Sequence, residues 1–174
     1  MVVVYLSIGT NLGNKYNNIK KALFYLSKFC KIIDSSSIYL TSPLENSNQP
    51  EFYNCVVKVN TDLLPTGLLK KLKEIEKRMG RKSNNKRYQP RVIDIDILFY
   101  GKKIISKKNL SIPHPKIQYR KFVLYPLVEI SKNLIHPLLR QKVSILKKKL
   151  KDKSQKIKLA IARLKLRNYI RTLN

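Results

Sequence analysis

Apolar and acidic residues alternate with period two through Arg91-Val92-Ile93-Asp94-Ile95-Asp96-Ile97-Leu98, the pattern of a half-buried strand. Ile93, Ile95 and Ile97 fall on one face; Asp94 and Asp96 share the other, with Cα atoms about 6.5–7 Å apart. Residues 2–7 read as a buried strand and residues 32–41 as another. Residues 52–59 form a third, with Phe52, Asn54 and Val56 on one face and Tyr53, Cys55 and Val57 on the other. The period changes to that of a helix at Ile19, Ala22, Leu23, Leu26 and Phe29, predicting a helix over residues 15–30 capped by Asn14. Leu68, Leu69, Leu72, Ile75 and Met79 mark a second helix, with Pro65 at its first position and Gly80 just past its end. A short strand is expected at residues 104–105 and a short helical stretch from Arg120. The order strand, helix, strand, strand, helix, strand predicts an α+β protein with a ferredoxin-like βαββαβ core, to which further strands and a short helix are added. In that arrangement both helices cover the Ile93/Ile95 side. Asp94, Asp96, Phe52 and Asn54 remain on the free face.

Between these elements lie two long polar loops. Residues 42–50 form one, and loops of that length in compact domains tend to be functional. Residues 80–91 form the other, which carries Arg81, Arg87 and Arg91 and runs straight into the acidic strand. The glycines at 9 and 13 belong to no GxGxxG or Walker pattern, so the usual nucleotide-binding loops are absent.

Composition narrows the picture. At 174 residues with 43% apolar content the chain is long enough for one domain with a proper core. Cys30 and Cys55 have no metal-ligand spacing and read as buried thiols of a reducing cytoplasm. The first residues lack a signal sequence, and no apolar run reaches membrane-span length. A cytoplasmic location without a membrane partner is expected. The net charge of +27 comes from lysines scattered along the whole chain. They fit A/T-rich coding better than a dedicated nucleic-acid surface.

Against thirty-seven Lys and Arg there are only ten acids. Two of them on adjacent sites of one strand face repel unless a cation sits between them. Hard oxygen donors at this spacing suit Mg²⁺, which reaches a protein through one or two carboxylates plus substrate phosphates. Taken singly, an Asp-x-Asp is more often a solvated strand face, an arginine in such a loop is as often merely solvated, and a lone histidine is more often structural. Taken together, the pair, the basic loop, His114 held between Pro113 and Pro115, and Arg120 point to a metal-bound polyphosphate.

Six stretches then fall in the order of a known family: Gly9 to Gly13, Thr41 to Leu44, Gln49 to Asn54, Glu76 to Arg81, Pro90 to Ile97, and Ile112-Pro-His-Pro with Arg120 to Leu127. On these motifs the chain resembles the 6-hydroxymethyl-7,8-dihydropterin pyrophosphokinases of folate biosynthesis over roughly residues 1–140. The resemblance implies transfer of pyrophosphate from ATP, as co-substrate, to the pterin hydroxymethyl oxygen, releasing AMP. It implies that Asp94 and Asp96 ligate two Mg²⁺ ions, that Phe52 and Phe122 sandwich the pterin, and that Thr41, Leu44 and Asn54 bond its polar edges. Arg81 and Arg91 are implied as catalytic phosphate contacts. Glu76, Arg87, Tyr88, Ile97, Ser111, His114 and Arg120 are implied on the ATP side. Ser83 stands where the family often has a second arginine, Tyr88 where tryptophan is common, and Pro115 where tyrosine is common. No residue stands out as a general base.

The division expected is residues 1–140 as the pterin pyrophosphokinase domain and 141–174 as a basic, helical C-terminal extension. Residues 142–174 hold twelve Lys or Arg and one acid, Asp152, a net charge of +11. Ile157, Ala160, Ile161 and Leu164 follow helical spacing, so a solvated helix is expected there. The rival function is an RNA-binding ferredoxin-like module. It lacks the RNP1 pattern, and the acid pair would repel phosphates without a metal. ATP and the hydroxymethyl dihydropterin are therefore the expected partners of a monomer, with no specific nucleic acid.

Overall fold

The computed structural model describes residues 1–43, 48–81, 89–151 and 155–173. In chain order the core elements are β1 (Val2–Thr10), α1 (Lys15–Leu26), β2 (Lys31–Ser35), β3 (Ile38–Thr41), β4 (Phe52–Thr61), α2 (Pro65–Arg78) and β5 (Asp94–Tyr100). Two small hairpins follow, β6 (Ile105–Lys107) with β7 (Leu110–Ile112), and β8 (Ile135–His136) with β9 (Gln141–Lys142). The helix α3 (Lys121–Ser131) lies between these hairpins. The chain then runs through α4 (Val143–Lys149), β10 (Ile157–Ile161) and α5 (Arg163–Arg171).

The main sheet is antiparallel, in the order β10-β3-β4-β1-β5, with β2 also paired to β4. The predicted single strand over 32–41 is two strands. At the break Ser36 substitutes for the ladder: its amide donates to the Val56 carbonyl (2.9 Å) and its Oγ accepts from the Val56 amide (2.9 Å). Ser37 meanwhile turns its amide and hydroxyl to Glu129 of α3.

Apolar side chains pack against both faces of the sheet. On one face, α1 contributes Ile19, Ala22, Leu23 and Leu26, and α2 contributes Leu68, Leu72 and Ile75; all meet Leu6, Ile8, Val57, Ile93 and Ile95. On the other, Val123, Leu124 and Leu127 of α3 and Val143 and Leu146 of α4 cover Tyr5, Val56, Leu98 and Phe99. The second face is therefore only partly free, contrary to the open face expected. A register shift opposite Tyr5/Leu6 explains how consecutive residues Leu98 and Phe99 both reach this cluster.

The C-terminal segment departs most from expectation. Residues 157–161 are strand β10, paired through Ile157↔Thr41 and Leu159↔Tyr39, rather than part of a solvated helix. The outer edge of β3 offers unpaired backbone groups, and pairing satisfies them. Leu166 and Ile170 of α5 then enter the main core at 0% and 5% exposure. Each such burial contributes roughly 1.5–3 kcal/mol. Arg163 donates to the Ser35 carbonyl and pairs with Asp34, which Arg167 also reaches at 3.2 Å. The segment is thus built into the fold, so removing residues 157–173 would uncover the core.

Candidate active site

The site forms where β1, β4 and β5 run side by side. Gly9 of β1 stands opposite Asn54 of β4 on one side and Asp94 of β5 on the other. A Cβ at Gly9 would lie 2.9 Å from Asn54 Oδ1, so only glycine lets this amide lie across the strand. Asn54 donates to Thr41 Oγ1 at 2.8 Å, tying β4 to the end of β3.

Arg81 owes its place to the end of α2. Gly80 adopts φ +91°, its amide donates to the Lys77 carbonyl (3.0 Å) and the Arg81 amide to the Glu76 carbonyl (3.0 Å). These are the two bonds of a Schellman cap, which needs glycine at that position. The cap brings the Arg81 guanidinium to 2.6 Å from Glu76 and 2.5 Å from Asp94. Glu76 itself is 2% exposed and accepts from the Ile95 amide at 2.8 Å and from Lys73. It fills the outward amide of edge strand β5 and anchors Arg81 from below.

Arg91 is fixed through its backbone. Its amide donates to Asn11 Oδ1 (2.7 Å), its carbonyl accepts from the Asn11 amide (3.1 Å), and Asn18 donates to the next carbonyl, Val92 (3.2 Å). Its guanidinium reaches Asp94 at 2.5 Å. On the same strand face, Asp96 lies 3.7 Å from Arg120 and 3.9 Å from His114 Nε2. His114 is held by its amide on the Leu98 carbonyl, and its Nδ1 accepts from the Lys116 amide.

The two carboxylates differ electrostatically. Burial pushes Asp94 up, but Arg91 and Arg81 more than offset this and hold it below the usual carboxylate range. Burial and then the neighbouring Asp94 push Asp96 up. Burial likewise raises Glu76 against the opposing pull of Lys73, and it lowers His114 against the pull of Asp96. Two half-buried acids on one strand face, backed by cations, thus form a negative spot inside a positive ring.

One cleft is lined by Thr41, Phe52, Asn54, Arg91, Asp94, Asp96, Arg120 and Phe122, all singled out from the sequence. Phe52 and Phe122 are both only half-buried, leaving ring surface for a ligand. The cleft is also lined by Ser7, Gly9, Ser42, Pro43, Gln49 and Gln155, which sequence reasoning did not single out as contacts. Arg81 and His114 stand directly behind its acids. Ile97 points into the main core at 5% exposure, on the face opposite Asp96. Ser111 is exposed on β7 and does not line the cleft. Leu44, Arg87 and Tyr88 lie outside the described residues.

Among the described residues no group of three or more His, Cys, Asp or Glu is arranged to hold a metal. A closed transition-metal site does not fit these side chains. Two carboxylates on one face do fit a hydrated hard cation that takes its remaining ligands from water and phosphate.

Comparison with known proteins gives a consistent pattern. The model of the 7,8-dihydro-6-hydroxymethylpterin-pyrophosphokinase family matches residues 5–132. A 2-amino-4-hydroxy-6-hydroxymethyldihydropteridine pyrophosphokinase of Aquifex aeolicus is 44% identical over 141 residues, covering 81% of this chain and 88% of that protein. The folic acid synthesis protein FOL1 of Dictyostelium discoideum is 49% identical over 137 residues, covering 79% of this chain but only 21% of its own length. The chain thus spans about a fifth of that relative. In fold it is similar to the HPPK-DHPS of Plasmodium falciparum, with a TM-score of 0.72 at 20% identity over 85% of this chain and 44% of that one.

Proposed function

The chain belongs to the 7,8-dihydro-6-hydroxymethylpterin-pyrophosphokinase family, and we propose that it transfers pyrophosphate from ATP to 6-hydroxymethyl-7,8-dihydropterin, releasing AMP, in folate biosynthesis. The observation that carries this is the single cleft in which an aromatic pair and an amide, Phe52, Phe122 and Asn54, meet an acid pair ringed by arginines. A flat heterocycle needs the first set and a polyphosphate the second.

Phe52 and Phe122 would stack on the pterin while Asn54 and Thr41 bond its edge. Such stacking is worth about 1–3 kcal/mol per face. Asp94 and Asp96 would hold two Mg²⁺ ions, which when bound neutralise phosphate charge and steady the attacking and leaving oxygens. Arg81 and Arg91 would exchange Asp94 for phosphate oxygens as ATP arrives, and Arg120 and His114 would face the chain from the Asp96 side. The hydroxymethyl oxygen forms a bond to the β-phosphorus and the bond from that phosphorus to the bridging oxygen breaks. AMP leaves with the bridging oxygen, and the hydroxyl proton passes to solvent. The protein's part is orientation and charge placement, which phosphoryl transfer mainly requires.

We read the core as ferredoxin-like, supported by the sheet order in which β1 lies between β4 and β5 and β2/β3 flank β4. The catalytic residues fall within residues 1–140, with 141–174 an extension. The proposal also includes action as a monomer in the cytoplasm, without a nucleic-acid or membrane partner. Among the described residues no helix is long and apolar enough to cross a membrane. Separate isotopic labels on the β- and γ-phosphates of ATP test the chemistry. Both labels should move together to the pterin product, and transfer of the γ label alone would reject the assignment.

A further inference from the structure

The C-terminal segment reaches the cleft at Gln155, beyond the part of the chain that the family model matches. Gln155 is 4% exposed although it lines the cleft. Its Nε2 donates to the Ser42 carbonyl at 3.1 Å, and its backbone carbonyl accepts from Lys121 Nζ at 2.9 Å. Around it, the Ser42 amide donates to the Lys156 carbonyl (3.1 Å) and the Lys156 amide to Ser42 Oγ (3.0 Å). Ser42 follows Thr41, and Lys121 precedes Phe122. Gln155 therefore meets the neighbours of two groups assigned to the pterin, Ser42 through its side chain and Lys121 through its backbone. β10 pairs with β3 immediately beyond it, and α5 is locked to the core by Leu166. The clamp is thus held from behind.

We propose that Gln155 is a positioning residue for the heterocycle side of the cleft, and that residues 155–173 are the wall that holds it. The proposal deepens the pyrophosphokinase function and rests on it only for the identity of the ligand. A buried amide that donates to a strand-end carbonyl fixes where Thr41 ends and hence where the Asn54 amide, bonded to Thr41 Oγ1, can point. Loss of that donor removes the bond to the Ser42 carbonyl and leaves Ser42 held to this segment by Lys156, which loosens the heterocycle side of the cleft.

The test uses the full-length protein with Gln155→Ala and Gln155→Glu, and with Gln155→Asn as the conservative variant. Native-state amide exchange at Ser42, measured without ligand, should quicken at least tenfold in the first two. Binding of the hydroxymethyl dihydropterin, by calorimetry with a non-hydrolysable ATP analogue present, should weaken about tenfold or more. Affinity for the analogue alone should change less than twofold, and Gln155→Asn should recover part of the pterin loss. Unchanged exchange at Ser42 overturns the positioning role. Equal losses for pterin and nucleotide overturn it as well, because they indicate general loosening. Quickened exchange with normal pterin affinity overturns the link to the ligand. If the unaltered protein binds no pterin, the pyrophosphokinase function fails, while the exchange result still judges Gln155.

Discussion

Arg91 donates to Asp94 at 2.5 Å across three positions of the chain, so the cation proposed as catalytic rests on the carboxylate proposed to hold the metal. With Arg81 on the other oxygen, Asp94 is doubly neutralised. A polyphosphate is a stronger acceptor than one carboxylate, so its arrival should draw both guanidinium groups across and free Asp94. Arg91→Ala should cut the rate of the chemical step about 100-fold, in the range found when one preorganised donor to developing charge is removed. The backbone bonds to Asn11 survive that change, so thermal unfolding should move little. Single-turnover rates with bound ATP and pterin check this, and a rate within threefold of the unaltered protein would count against the role.

Asp94→Ala and Asp96→Ala should each lose at least about 100-fold in turnover. The loss should not be recovered by raising Mg²⁺ tenfold. Both side chains are partly exposed, at 23% and 35%, so the variants should still fold. A magnesium titration of initial rates decides the matter. Near-normal magnesium-dependent activity in either variant would remove the carboxylate pair from the mechanism.

Phe122→Ala removes one of the two proposed stacking faces and should weaken pterin binding by about 1–3 kcal/mol. The ATP analogue should bind within a factor of two of normal, although Arg120 lies over the ring at 5.4 Å. Calorimetry with each ligand in turn separates the two. Comparable losses for both would contradict the sandwich.

Tyr39 gives a prediction about stability and pH. Its hydroxyl donates to Glu129 at 3.0 Å, beside the two bonds from Ser37. Burial, and then the Glu129 charge, push the phenol up to about 12. The folded value lies above the unfolded one near 10. The bonded neutral phenol therefore stabilises fully below about pH 10, and that stability is lost as pH climbs through about 12. Tyr39→Phe should cost about 1–3 kcal/mol at pH 8, and its gap from the unaltered protein should narrow by pH 11. Urea midpoints at the two pH values measure it, and a gap that stays constant would be inconsistent with the shift.

Elements whose burial is set locally were legible in the sequence. The alternation at 93–97 placed Ile95 in the core and Asp94 and Asp96 on the cleft side. The stripe from Leu68 to Met79 and the glycine at 80 gave α2 and its cap. What was not legible depends on distant partners. Ile157 to Leu164 satisfy helical spacing, and only the open edge of β3 makes residues 157–161 a strand. Gly9 belongs to no nucleotide-binding glycine pattern, and its role shows only once β4 and β5 flank it. Asn11 lies in the Gly9 to Gly13 stretch and Asn18 within the predicted helix, yet their side chains secure the amide of Arg91 and the carbonyl of Val92. Gln155 is 113 residues from Ser42, and no spacing rule connects them.

The most direct measurement is the nucleotide product formed when the purified protein is given ATP, Mg²⁺ and 6-hydroxymethyl-7,8-dihydropterin. Chromatography should show AMP rising one for one with a pterin diphosphate, and no AMP when the pterin is left out. ADP as the nucleotide product, or no pterin-dependent consumption of ATP by a folded protein, would contradict the assignment.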